Sequence, residues 1–96
     1  MKILIIDDER SIRNSLKEIL MDEGHDVDVA ENGVQGCQMV DKEKYSVIFC
    51  DIKMPEMDGL EVLDRLTEMG VESAVVMISG HGDINTAVEC IKKGAF

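Results

Sequence analysis

The 96 residues predict an α/β domain built on an open, doubly wound parallel sheet with helices on both faces. Three observations lead there. Short apolar runs alternate with amphipathic helical periods along the whole chain. The connections between them are only a few residues long. Three of the four runs are apolar at every position. Runs of that last kind suit strands covered on both sides, and alternating strand and helix signals mean a parallel sheet with right-handed crossovers.

Taken in order, Ile3-Leu4-Ile5-Ile6 is the first such strand. A helical period follows, with Ile12, Leu16, Ile19 and Leu20 on one face and Gly24 at the C′ position that ends it. Asp26-Val27-Asp28-Val29-Ala30 alternates polar and apolar, so it reads as a half-exposed edge strand. Asn32 is placed to cap a second helix whose inner residues are expected to be Val34, Cys37 and Val40. Val47-Ile48-Phe49-Cys50 is the next buried strand and stops at Asp51. Asp58-Gly59-Leu60-Glu61 resembles a capping box and opens a third helix, expected to turn Leu60, Leu63 and Leu66 inward and to stop at Gly70. Ala74-Val75-Val76-Met77-Ile78 reads as a further buried strand. Asp83 caps a last helix with Ile84, Ala87, Val88 and Ile91 inside, Lys92 and Lys93 in its final turn, and Gly94 after it. No repeat, linker or internal boundary interrupts the series, so a single domain spans residues 1–96.

Composition narrows the function. Ten basic residues against twenty acidic ones give a net charge of −10, which argues against direct nucleic-acid binding, because phosphate contacts need clustered Lys and Arg. No apolar run is long enough to span a bilayer, and Asp7-Asp8 follows Met1-Lys2-Ile3-Leu4 too closely for a signal peptide. Cys37, Cys50 and Cys90 show neither metal-ligand spacing nor a disulfide pattern, and read as small buried residues in a reducing cytosol.

In open α/β sheets ligands lie beyond the carboxyl ends of the strands, where the strand order reverses. Here those ends carry Asp7-Asp8, Asp51 and Ser79-Gly80. Each alone has an ordinary reading as a cap or turn residue. Together they put three carboxylates in one crevice, provided the first and third strands are neighbours. Two charges about 4 Å apart repel by roughly 4 kcal/mol at an effective dielectric near 20, so such a trio needs a cation or a shared proton. An all-oxygen donor set points to Mg²⁺ rather than zinc.

The loop Asp51-Ile52-Lys53-Met54-Pro55-Glu56-Met57-Asp58-Gly59-Leu60 sharpens the reading, since Pro55 stiffens it and Gly59 allows the next helix to start close by. With Ile6-Asp7-Asp8-Glu9, Ser79-Gly80 and Lys93-Gly94-Ala95-Phe96, the chain resembles the receiver (CheY-like) domain of two-component response regulators along its full length. Ile78-Ser79-Gly80-His81-Gly82-Asp83 with Thr86-Ala87-Val88 is similar to the NtrC-like branch. The resemblance implies a flavodoxin-like fold with strand order 2-1-3-4-5 and a cytoplasmic signalling switch. Asp51 would accept a phosphoryl group from a sensor histidine kinase. Asp7, Asp8, Asp51 and the main-chain carbonyl of Lys53 would hold Mg²⁺, and Ser79 would bond the phosphoryl group with Gly80 leaving room for it. Lys53 and His81 would lie near the mouth, although His81 also reads as a plain loop residue. The chemistry implied is self-phosphorylation and self-dephosphorylation rather than turnover of a free substrate, and the output is expected to be transcriptional.

Receivers continue into a fifth strand and helix that bring a phosphoryl-contacting Lys, which the resemblance does not find by Phe96. The expectation is therefore a truncated receiver, impaired in its chemistry, whose uncovered 74–78 strand promotes self-association, with a homodimer as the simplest form. Two further classes stay open: a Mg²⁺-dependent phosphatase working through an aspartyl phosphate, and a non-catalytic interaction module. No GxGxxG or Walker segment supports nucleotide binding.

Overall fold

The first apolar run forms β1 (Lys2–Ile6), fully buried from Ile3 to Ile6 because it lies between two other strands. The computed structural model describes residues 1–78. After β1 come α1 (Arg10–Asp22), β2 (Asp26–Ala30), α2 (Gly33–Lys42), β3 (Val47–Asp51), α3 (Gly59–Glu68) and β4 (Ala74–Ile78). The strands pair in parallel in the order β2-β1-β3-β4, the flavodoxin/CheY-like arrangement expected from the sequence. The expectations for Ser79, Gly80, His81, Cys90 and the helix capped by Asp83 fall outside the described residues.

Alternation along the strands builds two cores. Ile3, Ile5, Val47 and Phe49 face Leu16 and Leu20 of α1, while Leu4, Ile6, Ile48 and Cys50 face Cys37 and Val40 of α2 and Val62 and Leu66 of α3. Phe49 is completely buried, and each such large side chain contributes about 1.5–3 kcal/mol on leaving water. The helix stops are where the sequence puts them: Gly24 and Gly70 take positive φ values of 89° and 70° after α1 and α3. Asn32 and Asp58 cap α2 and α3 by accepting from the amides of Gln35 and Glu61 at 2.8 and 2.9 Å.

Two expected inward residues are corrected. Val34 is 46% exposed and Leu60 58% exposed. The buried stripe of α2 runs instead through Gly33, Gly36, Cys37 and Val40, and that of α3 through Gly59, Val62 and Leu66, with Leu63 half-buried. Both helices lie against the sheet on glycine faces, where the absent side chain is what allows contact. A β-carbon on Gly36 would come within 2.5 Å of Ile6 Cδ1. Hydrophobicity alone ranks Val34 and Leu60 above glycine and so misplaces one edge of each stripe, while Cys37, Val40 and Leu66 are buried as expected. In α1, Ile19 is half-buried, whereas Arg13 is buried beside Ile12, Leu16 and Leu20. In β4, Ala74 to Met77 are half-buried and only Ile78 is fully buried, as befits the end strand of the described sheet.

Candidate metal centre

Register decides what meets at the carboxyl edge of the sheet. The β1–β3 ladder ends with Ile6 opposite Cys50, so the next residues, Asp7 and Asp51, stand side by side just beyond that ladder. Asp7 remains tied to the neighbouring strand on its other side, where its amide donates to the Ala30 carbonyl at 3.1 Å. Its Oδ1 accepts from the Glu9 amide at 2.9 Å, which turns the chain into α1, and its carbonyl accepts from Arg13 Nη1 at 2.7 Å. Asp7 is completely buried, yet among the described residues its Oδ2 has no hydrogen-bond partner. Buried carboxylate oxygens rarely go unmatched, and an orphaned one marks a place for an ion or a proton.

Asp51 ends β3 and is only 6% exposed. Its Oδ1 accepts from the Lys53 amide at 3.3 Å, and its carbonyl accepts weakly from the Cys50 thiol at 3.5 Å. The loop beyond is held from both ends: the Ile52 amide donates to the Ile78 carbonyl, and the Gly59 amide to the Ile52 carbonyl at 2.8 Å. Between them the Met57 amide donates to the Pro55 carbonyl across Glu56, whose φ is +67°. That is a γ-turn, a tight and strained corner that fixes the loop's course. Met54 is buried, with Met57 and Met77 packed against the same core, so these methionines serve packing.

One carboxylate oxygen each from Asp7, Asp8 and Asp51 lie within 4.8 Å of one another. At that spacing each ionised pair repels by on the order of 3 kcal/mol at an effective dielectric near 20. The carboxyl groups respond accordingly. Burial, followed by the charge of Asp7 and contact with Asp8, pushes the Asp51 carboxyl up to about 6. Burial likewise raises Asp7, opposed by the Glu9 amide and the Arg13 charge. Such a cup is short of positive charge. Its oxygen-only donors, one of them orphaned, suit a hard divalent cation such as Mg²⁺.

The structure thus brings Asp7, Asp8 and Asp51 together and leaves Lys53 two residues behind, bonded through its amide. Cys37 and Cys50 are free thiols in the core, as expected, and burial pushes the Cys50 thiol up to about 12. Sequence reasoning missed Arg13. Its signal was a charged residue six positions after Asp7, set within the apolar period of α1.

Residues 3–96 match the response regulator receiver domain family. This chain belongs to that family. It is 42% identical over 96 residues to an NtrX-like response regulator of Rickettsia bellii, covering 98% of this chain and 20% of that protein. It is 38% identical to the chemotaxis protein CheY of Listeria monocytogenes, covering 99% of this chain and 81% of the relative. Among solved structures, NtrX from Brucella abortus superposes with a TM-score of 0.78 at 39% identity, covering 99% of this chain and 22% of that one. The response regulator TrrA from Thermotoga maritima, solved in complex with Mg²⁺–BeF, gives a TM-score of 0.83 at 27% identity, with 96% of each chain covered. The chain therefore spans about a fifth of the NtrX-like regulators it matches. The likeness to NtrX-like proteins and to the ZraR regulator of Klebsiella oxytoca carries the NtrC-like placement. Among the described residues, no helix is long and apolar enough to cross a membrane.

Proposed function

We propose that residues 1–96 form the phosphoacceptor unit of a larger response regulator, in which Asp51 takes a phosphoryl group from the phosphohistidine of a sensor kinase. The observation that carries this reading is the carboxylate cup with its orphaned, buried Asp7 Oδ2. Asp7, Asp8 and Asp51 would hold Mg²⁺ together with the main-chain carbonyl of Lys53. Bound there, the ion would neutralise charge on the transferring phosphoryl oxygens, the main electrostatic need of such a step.

The residues themselves divide the work. The Lys53 amide holds Asp51 Oδ1 and leaves the other oxygen to attack phosphorus. The O–P bond to Asp51 forms as the P–N bond of the phosphohistidine breaks and the imidazole nitrogen departs. In its ionised form the Asp51 carboxylate is the nucleophile. Ser79 would bond the phosphoryl oxygen with Gly80 giving it space, and His81 and Lys53 would lie near the mouth. The likeness to the transcriptional regulatory protein ZraR of Klebsiella oxytoca supports a transcriptional output from the rest of the regulator. We assign the expected self-association to the outer edge of β4, which ends the described sheet. Light scattering should give a mass above the 10.7 kDa of one chain, and a mass equal to it removes that assignment.

The phosphoacceptor reading is tested by incubating the chain and its Asp51→Asn variant with a small acyl phosphate and Mg²⁺. An intact-mass gain of about 80 Da, one phosphoryl group, on the parent alone supports it. No gain on either chain overturns it in favour of an interaction module, and turnover of added phosphomonoesters overturns it in favour of a phosphatase.

A further inference from the structure

Arg13 is a charged side chain that is only 7% exposed, buried on the inner face of α1 among residues that pack the sheet. Burying a guanidinium costs free energy unless its donors are used, and one of them is spent on a main-chain oxygen of the carboxylate cup, the Asp7 carbonyl at 2.7 Å. Asp7 has four polar groups. Its amide is held by Ala30, its Oδ1 holds Glu9, its carbonyl is held by Arg13, and Oδ2 alone is left over within the cup. Of these three restraints, only the bond from Arg13 acts on the peptide that joins Asp7 to Asp8. Asp8 is exposed, and that peptide sets the direction in which its side chain leaves the main chain. Arg13 and Asp8 also line one groove beside the cup, together with Arg10, Glu31, Asn32 and Glu56.

We infer that Arg13 is a positioning residue for the metal centre: by pinning the Asp7 carbonyl from α1 it orients the Asp7–Asp8 peptide so that both carboxylates converge with Asp51. The inference rests on the metal-binding reading given above and deepens it. Groups that orient metal ligands from behind typically change affinity by about 10–100-fold when removed. Arg13→Met keeps the apolar stem and removes the donor. Arg13→Lys keeps a donor and a charge at similar reach.

The test is Mg²⁺ titration of the 96-residue chain by calorimetry, with no phosphodonor present, alongside thermal melts of each metal-free variant. The expected result is Mg²⁺ binding by the parent, at least tenfold weaker binding by Arg13→Met, and recovery to within about threefold by Arg13→Lys. Absence of Mg²⁺ binding by the parent overturns the metal-centre reading itself, and the role of Arg13 with it. Binding by Arg13→Met within twofold of the parent overturns the role of Arg13 alone. So does a lysine variant as weak as the methionine variant. Should Arg13→Met fail to melt cooperatively, the parent chain decides by nitrogen-15 NMR. The Arg13 guanidinium signal should shift with the same Mg²⁺ midpoint as the amides of Asp8 and Glu9, and an Arg13 signal that does not move overturns the inference.

Discussion

Gly59 lies so close to Asp51 that a β-carbon on it would run into the Asp51 carbonyl oxygen and come within 2.8 Å of Ile52 Cα. These two obstacles are main chain and cannot rotate away, unlike the end of the Met77 side chain beside them. Replacing Gly59 by alanine gains at most about 1 kcal/mol of helix propensity and sets it against overpacking of about 1–3 kcal/mol. Gly59→Ala should therefore lower the melting temperature by several degrees. It should also weaken Mg²⁺ binding, because the strain falls on the residue that ends β3. A variant that melts and binds like the parent would show that the loop moves freely.

The cup should cost stability at neutral pH. The Asp51 carboxyl holds its proton to about 6 in the folded chain, against an ordinary value of 3.8. Between those values the folded state binds more protons than the unfolded one, so this group's effect on stability is most favourable below about pH 4. The loss then grows as pH rises through 6, to about 3 kcal/mol. Burial of Asp7 acts in the same direction. In metal-free buffer, Asp51→Asn should be more stable than the parent at pH 7, with the difference vanishing near pH 4. Urea unfolding at the two pH values measures it.

Gly36 makes the corresponding test on the α2 side. Its missing β-carbon leaves room for Ile6, with Cδ1 at 2.5 Å and Cγ1 at 2.8 Å from where that carbon would sit. Gly36→Ala should destabilise by about 1 kcal/mol even though alanine favours the helix. Combining it with Ile6→Val, which removes the nearer obstacle, should recover part of the loss. Additive losses in the double variant would refute the steric account.

The core thiols should be inert. Burial raises Cys37 as well as Cys50, and the charge of Asp51 adds to the effect on Cys50. Thiolate, not thiol, is the reactive form. Peptide mapping after brief iodoacetamide treatment at pH 8 should find both unmodified in the native chain and both modified in urea.

Much of this structure is legible in the sequence, for reasons that can be named. β1 and β3 are apolar at every inner position because they lie between other strands, and β2 alternates because it is an edge. Asn32, Asp58, Gly24 and Gly70 mark helix ends through chemistry that needs no tertiary context. The convergence of Asp7, Asp8 and Asp51 followed from strand ends alone, once β1 and β3 were neighbours. What stayed hidden depends on contact across elements. Val34 and Leu60 looked like core residues because hydrophobicity gives no credit to glycine, whereas close packing on Ile6 and Asp51 demands it. Arg13 drew no reading because its partner is a carbonyl, which every residue has and no sequence pattern displays.

The pairing of Ile6 with Cys50 has one more consequence. Side chains alternate faces along a strand, so sliding β1 by a single place against β3 would exchange Leu4 and Ile6 for Ile3 and Ile5 in the two cores. Aliphatic residues of similar size would tolerate that swap far better than the acidic trio, whose geometry would be lost. Deleting one residue from β1 should therefore yield a folded protein blind to magnesium, which makes strand alignment, rather than any one acid, the most fragile determinant of the centre.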